Sequence, residues 1–149
     1  MADFGFNIVP KNFFLDRKAI VDKVGRANAR ALALAGGYVR KVAQRSMRPA
    51  NKKHGTAPPG TPPRYHAKNL RDLIFFGLVG DTGVRIGPVK YRKGEAPALL
   101  EFGGTATRTD KRGRPYTAHY RGNPFMQPAL TKAVAEGKIA AAWQGILRR

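Results

Sequence analysis

An excess of positive charge constrains this chain more than any other feature of its sequence. Its 149 residues include 28 Lys and Arg but only nine Asp and Glu, which gives a formal net charge of +19. Between Asp22 and Asp72 there are twelve Lys or Arg and no acidic residue. Uncompensated charge on this scale repels itself in a compact monomer and attracts anions. The sequence therefore predicts an anionic partner, which can be either nucleic acid phosphate or the acidic surface of another protein subunit.

The length and the hydrophobic content predict a single folded domain over residues 1–149. Hydrophobic residues make up 42% of the chain, and the absence of cysteine excludes disulfides and thiolate metal sites. No apolar run approaches the length of a membrane span, and residues 1–10 do not resemble a secretion signal, so we expect synthesis in the cytoplasm and no membrane partner. Six large apolar residues within positions 1–14 either cover this subunit's own core or dock on a neighbour.

A long amphipathic helix is predicted from Leu15 to about Met47, because apolar residues recur there at spacings of three or four. The apolar face comprises Ile20, Val24, Ala27, Ala31, Ala35, Tyr38 and Val42. A second stripe is basic and is either solvated or turned toward DNA or an acidic partner. Gly36 and Gly37 interrupt the pattern and predict a kink or a close contact with another helix.

Residues 48–68 predict an extended basic arm, because five of the eleven prolines lie there and proline excludes both a helix interior and a central strand. We expect this arm to reach a neighbouring subunit and to become ordered on assembly. The residues predicted to face a DNA lumen or an acidic partner come from the helix stripe and the arm. They are Arg26, Arg30, Arg40, Lys41, Arg45, Arg48, Lys52 and Lys53.

The remainder of the chain predicts two hairpins, a short helix and a final helix. Apolar residues 70–79 and 84–89 flank a Gly/Asp-rich break, and residues 105–121 flank a turn at 110–113. The short helix is predicted at Ala96–Phe102 and the final one at Pro124–Leu147. This order predicts an α+β fold in which an antiparallel, hairpin-built sheet packs against a long N-terminal helix and a C-terminal helix.

The sequence offers little for catalysis. The three histidines lack metal-ligand spacing, the nine carboxylates form no acid–base pair, and no glycine-rich segment has the ending of a phosphate-binding loop. We therefore predict that the protein is not an enzyme and uses no metal or other cofactor.

Three segments, in this order, resemble the tail-completion (tail-component or neck) proteins of long-tailed bacteriophages. They are residues 59–66 (PGTPPRYH) with 70–72 (LRD), residues 98–104 (ALLEFGG) and residues 123–130 (NPFMQPAL). The resemblance spans roughly residues 15–147 and includes the length, the order of elements, and the paired signatures hydrophobic-Glu-Phe-Gly and Arg-Pro-Phe-hydrophobic-x-Pro-Ala. Asn123 stands where the family usually has Arg.

The resemblance implies a structural virion protein that forms a ring, expected to be a hexamer, at the head-proximal end of the tail. Its implied partners are further copies of itself, the tail tube protein, neck or connector proteins, and the genomic DNA that passes through the channel. The motif residues expected to support the fold or subunit packing are Glu101, Phe102, Gly103, Gly104, Pro124, Phe125, Met126 and Pro128. In the fold they are expected to end one helix with a sharp glycine turn and to begin the next with proline. The alternative from another class is a free-standing basic nucleic-acid-binding protein of ribosomal or nucleoid type.

Overall fold

A computed structural model of the chain describes residues 16–50, 55–65, 69–89 and 96–146. The helices are α1 (Arg17–Ser46), α2 (Asn69–Asp72), α3 (Ala96–Phe102), α4 (Met126–Ala135) and α5 (Lys138–Ala141). The strands are β1 (Arg48–Pro49), β2 (Arg64–Tyr65), β3 (Ile74–Val79), β4 (Gly83–Pro88), β5 (Gly104–Thr109) and β6 (Pro115–Tyr120). The predicted α+β class is confirmed.

Helix α1 forms one continuous rod of 30 residues. It begins where the carboxylate of Asp16 accepts a hydrogen bond from the backbone N–H of Ala19, at 3.0 Å, as an N-cap does. Helical structure continues through Gly36 and Gly37, and the close contact predicted there is made with a hairpin rather than with a helix. A Cβ atom on Gly36 would lie 2.9 Å from Cγ2 of Val84, so only glycine lets the hairpin lie this close to the helix.

The core lies where the second half of α1, the start of β3 and the face of α4 meet. Its buried members are Val39, Ala43, Met47, Ile74, Phe125, Ala129 and Ala133. Alanines on both helices keep the side chains between them short, so α1 and α4 approach closely. Phe125, Ile74 and Val39 are the largest fully buried side chains of the core.

The strands form three separate two-stranded sheets. Strands β3 and β4 pair antiparallel from Ile74↔Pro88 to Val79↔Gly83, and β5 and β6 pair antiparallel from Gly104↔Tyr120 to Thr109↔Pro115. The two predicted hairpins are therefore present, but they do not join into one sheet. Strands β1 and β2 form a short parallel pair that brings the two ends of the predicted arm together.

The C-terminal helical region differs from its prediction in where it begins and in its continuity. Helix α4 begins at Met126, with Phe125 as its N-cap residue, so Pro124 precedes the helix instead of opening it. Pro128 lies in the first turn, where a missing N–H leaves no intrahelical bond unmade. Residues 136 and 137 separate α4 from α5.

Candidate functional site

The carboxylate of Glu101 joins α3 to the start of α4. It accepts hydrogen bonds from the backbone N–H groups of Phe125, Met126 and Gln127, at 2.9, 3.0 and 2.8 Å. The first N–H groups of a helix have no intrahelical acceptor, and the helix dipole favours negative charge there. Glu101 thus performs the capping function that the side chain of Phe125 cannot, and does so from another helix.

The chain between Glu101 and α4 is held by backbone packing that requires glycine. Gly103 has φ +73, and a Cβ there would lie 2.9 Å from both the carbonyl oxygen of Tyr120 and the nitrogen of Gly122. The N–H of Asn123 also donates to the carbonyl of Leu100, at 2.6 Å. The segment after α3 and the segment before α4 therefore lie directly against each other.

The described part of the arm is tied to the same place. The N–H of Gly60 donates to the carbonyl of Gly122, at 3.0 Å. The side-chain amide of Asn123 donates to the carbonyls of Pro58 and Thr61, at 2.7 and 2.8 Å. Asn123 thus holds residues 58–61 of the arm beside the segment that precedes α4.

The first and the second of the segments that carry the family resemblance therefore each contact the third segment or the residue that precedes it. We call this hydrogen-bonded meeting of residues 58–61, 100–104 and 122–127 the motif junction. Sequence reasoning identified its segments and the buried anchor Phe125, but it did not identify Glu101 as a cap or Asn123 as the residue that holds the loop. The sequence signals for the cap are only two. One is a carboxylate at the end of a short helix, and the other is a helix start without a capping residue 24 residues later.

The side chain of the motif residue Phe102 makes no hydrogen bond in the junction. The side chain of Phe102 is 83% exposed, although it lies between Glu101 and Gly103. Phe102 also lines the apolar groove beside the junction, and aromatic side chains are enriched where proteins contact one another.

An apolar groove opens beside the motif junction. It has a volume of about 760 Å³ and lies between α1, β4, α3 and the C-terminal helices. Its lining includes Leu32, Val84, Ile86, Phe102, Leu130 and Trp143. Most of its wall is carbon, so it suits an apolar side chain from another segment.

A second apolar surface lies at the beginning of α1. All residues from Asp16 to Arg26 are exposed, so this part of the helix extends past the body among the residues the structure describes. Ile20, Val21 and Val24 are 46%, 68% and 50% exposed. Ile20 and Val24 continue the helix face that is buried from Ala27 onward, and this extension has no covering element in the described ranges.

The predicted basic residues have different environments. Arg26, Arg30, Lys41 and Arg45 form an exposed stripe on α1, and Arg48 is exposed on β1. Lys52 and Lys53 lie outside the described residues.

Arg40 differs from the rest of that set because it binds within the subunit. Its Nε donates to the carbonyl of Ile74, at 2.6 Å, and its guanidinium carbon lies 5.4 Å from the ring centroid of Phe75. The side chain is half-buried and helps to hold β3 on α1.

Two ion pairs occur among the described residues, Arg114–Asp110 and Lys132–Glu136, and neither involves the α1 stripe. Glu136 also accepts a hydrogen bond from the hydroxyl of Tyr38, which links α1 to the end of α4. That hydrogen bond, with burial and the negative charge of Glu136 adding to it, raises the pKa of the Tyr38 hydroxyl.

Within residues 16–50, 55–65, 69–89 and 96–146, no three His, Asp or Glu side chains are grouped closely enough to bind a metal ion. Over the same ranges, no helix combines the length and the apolar character that crossing a bilayer requires.

No protein-family model matches the chain, and no curated protein or solved structure is significantly similar to it. What the protein does is therefore inferred from its residues and their geometry.

Proposed function

We propose that this chain is a structural virion protein of a long-tailed phage and forms a ring at the head-proximal end of the tail. The ring, a hexamer matching the six-fold tail tube, completes the tail, connects it to the neck or connector proteins and leaves a channel for the genomic DNA. The protein is made in the host cytoplasm and resides in the virion. It catalyses no reaction and carries no cofactor.

The observation that carries this proposal is the motif junction. The family resemblance consists of three segments that are far apart in sequence, and each segment by itself is only moderately specific. Their contacts through Glu101, Gly103 and Asn123 make them parts of one structural unit. Coincidental matches have no physical reason to meet in this way.

The distribution of apolar side chains supports a subunit that assembles. Within the described ranges the large buried side chains are Leu32, Val39, Met47, Ile74 and Phe125, and the other buried residues are alanines, Gly36 and Pro63. The exposed large apolar residues are more numerous, and several are aromatic. Such surfaces are typical of proteins that bury them in an oligomer.

A closed ring requires two different surfaces on each copy, one binding the other on the next copy. The exposed beginning of α1 is a convex apolar ridge, and the groove beside the motif junction is concave and apolar. In the proposed ring, the ridge formed by Ile20, Val21 and Val24 contacts the groove of the neighbouring subunit.

Light scattering on the purified chain, with negative-stain images, tests the ring. We expect ring-shaped oligomers, and we expect Val21→Gln with Val24→Gln to convert them to monomers. The matched control is Lys18→Gln with Lys23→Gln, which changes two exposed residues of the same helical segment without touching its apolar ridge. A wild-type monomer at high concentration, or purified virions without this polypeptide, would contradict the proposal.

The second candidate is a free-standing nucleic-acid-binding protein of ribosomal or nucleoid type. The observation in its favour is the exposed cation stripe on α1, to which neither ion pair of the described residues belongs. A monomer that binds RNA tightly in the same measurements would favour it over the ring.

A further inference from the structure

Among the residues that the structure describes, the hairpin of β5 and β6 is a two-stranded ribbon whose strands pack on no other helix or strand to any large extent. Its strands contact chiefly each other, and of their residues only Ala106, Ala118 and Tyr120 are half-buried while the others are exposed. Its base is fixed, because Gly103 packs against Gly122 at the motif junction. The six paired positions of each strand correspond to a length of about 20 Å.

The ribbon carries much more positive than negative charge. From Gly104 to Arg121 there are five Lys or Arg and a single acidic residue, Asp110. On one face of the ribbon, Thr105 lies opposite His119 and Thr107 lies opposite Thr117. This face is therefore polar and contains no pair of like charges. Arg108, which is paired with Tyr116, lies on the other face. Hydroxyl groups and cations both bind phosphate oxygens, so each face has groups that can contact the DNA backbone.

Contacts within the turn occupy the one carboxylate. Asp110 accepts hydrogen bonds from the backbone N–H groups of Arg112 and Arg114, at 2.8 and 2.9 Å, and its other oxygen pairs with Nε of Arg114 at 3.0 Å. The positive charges of Lys111 and Arg112 have no ion-pair partner in the described ranges. Asp110 thus orders the turn and does not neutralise the positive charges of Lys111 and Arg112.

Arg108 is also held in place before any ligand binds. Its guanidinium carbon lies 5.3 Å from the ring centroid of Tyr120, and the residue remains exposed. A guanidinium stacked on a tyrosine keeps N–H donors at its edges for phosphate.

The charge is denser here than on α1. Arg108, Lys111 and Arg112 fall within five residues and belong to neither ion pair of the described residues. By contrast, the exposed α1 stripe is interrupted between Arg30 and Lys41, where Leu34 lies 64% exposed. A rise of 1.5 Å per residue puts that gap at about 16 Å. Because nucleic acid binding depends on the number of phosphates contacted together, the ribbon is the better site.

We propose that the β5–β6 ribbon is the main duplex-DNA contact of this subunit, with Arg108, Lys111 and Arg112 on the phosphate backbone. A two-stranded ribbon has the width that the major groove of B-DNA admits. The cations contact phosphates, so binding is independent of sequence. This inference rests on the proposed function in one respect only, which is that the DNA is the genome passing through the channel.

The test is fluorescence anisotropy of a labelled duplex of arbitrary sequence with the full chain, from about 50 to about 200 mM salt. The ribbon variant is Arg108→Gln, Lys111→Gln, Arg112→Gln. The matched control removes the same charge from the helix, with Arg26→Gln, Arg30→Gln, Arg45→Gln. Loss of three phosphate contacts is expected to lower the slope of log affinity against log salt by about 2 to 3 in magnitude.

We expect that loss in the ribbon variant, and less than half of it in the control. Replacement of Arg108 and Arg112 by Lys keeps the charge and is expected to preserve the salt slope. That result would show that the loss in the ribbon variant comes from the missing charge and not from misfolding. Equal losses in both triple variants, a larger loss in the control, or no DNA binding by the wild type at low salt would overturn the inference. Light scattering on the same samples separates the two proposals. If rings form but the ribbon variant keeps its DNA affinity, only this inference is contradicted. If the ribbon variant loses DNA affinity but the wild type is a monomer, only the ring is contradicted.

Discussion

The two β-hairpins are alike in construction but are held to the body in different ways. Both have strands of six residues in antiparallel register. The β3–β4 hairpin lies along α1, where Gly36 permits contact with Phe76 and Val84 and Arg40 binds the carbonyl of Ile74. Within the described ranges, the β5–β6 hairpin is held chiefly at its base, by the backbone packing and the Glu101 cap of the motif junction.

The difference arises from what each strand can bury. Strand β3 has the sequence IFFGLV, whereas β5 has GTATRT. Each Å² of apolar surface removed from water contributes about 25 cal/mol, so β3 gains by lying on α1 and β5 does not. Because an isolated hairpin is only marginally stable in water, the second hairpin depends on its fixed base and on the hydrogen bonds of its turn.

The largest expected effect is on the packed hairpin. Ile74→Ala removes a fully buried side chain from the core at the start of β3. We expect the free energy of unfolding to fall by about 2–5 kcal/mol in a urea titration. Thr107→Ala, at an exposed position of the ribbon, is the control and is expected to change it by less than about 0.5 kcal/mol. Similar losses in the two variants would mean that both hairpins are packed alike.

Removal of the Glu101 carboxylate tests how the base of the ribbon is held. Glu101→Ala leaves three N–H groups at the start of α4 without their acceptor, and hydrogen bonds to a charged group contribute about 1.5–3 kcal/mol. We expect a loss in that range, with faster amide hydrogen exchange in β5 and β6 than in β3 and β4. Faster exchange in β3 and β4 alone would contradict the assigned role of the cap.

Substitution of Gly36 tests the closeness of the packed hairpin. Gly36→Leu forces a side chain into a space where Val84 and Phe76 already lie within about 3 Å of a Cβ, and overpacking of this kind costs about 1–3 kcal/mol. The control is Gly37→Ala, whose Cβ would lie 3.8 Å from Phe76 in ordinary contact. Since alanine favours helix over glycine by about 1 kcal/mol, the control is expected to stabilise the protein to thermal unfolding. Stabilisation by both substitutions would show that the hairpin does not press on α1.

The smallest effect concerns the turn of the ribbon. Backbone hydrogen bonds from Arg114 and Arg112 hold the pKa of Asp110 below its ordinary 3.8. A depressed pKa in the folded state stabilises the turn at pH values above the ordinary pKa, and this stabilisation is lost as the pH falls through the depressed value. An NMR titration is expected to place the Asp110 midpoint below 3.8 and to show the amide signals of Arg112 and Arg114 shifting together with it. A midpoint at or above that value would mean that the turn is not ordered in solution.

Much of the fold could be predicted because local patterns decide it. Apolar periodicity indicated α1 within two residues at each end, Gly- and Asp-rich breaks indicated both hairpins, and residues 96–102 formed the predicted short helix. The beginning of the last helix was placed two residues early, because a proline at a first turn is only a preference and the cap comes from a residue outside the helix. The position of the arm's Lys52 and Lys53 stays a prediction, since they lie outside the described residues.

The candidate site was only partly predictable. The segments of the motif junction were recognised, and Phe125 was among the residues expected to support the fold or subunit packing. The roles of Glu101, Asn123 and Arg40 were not recognised, because the partners of their side-chain hydrogen bonds lie at least 24 residues away in sequence and no local rule relates such positions. Arg40 was grouped with the exposed cations because it is basic and on the same helix, although its partners are a strand carbonyl and a phenyl ring.

Sequence alone determined the elements of this protein and its positive charge, because helix periodicity, turn residues and side-chain ionisation depend on neighbouring residues and on composition. Tertiary structure alone decided which hairpin is packed and which is free, and which carboxylate caps the last helix. Those outcomes depend on distances between residues that are remote in the chain, and only the folded backbone sets such distances.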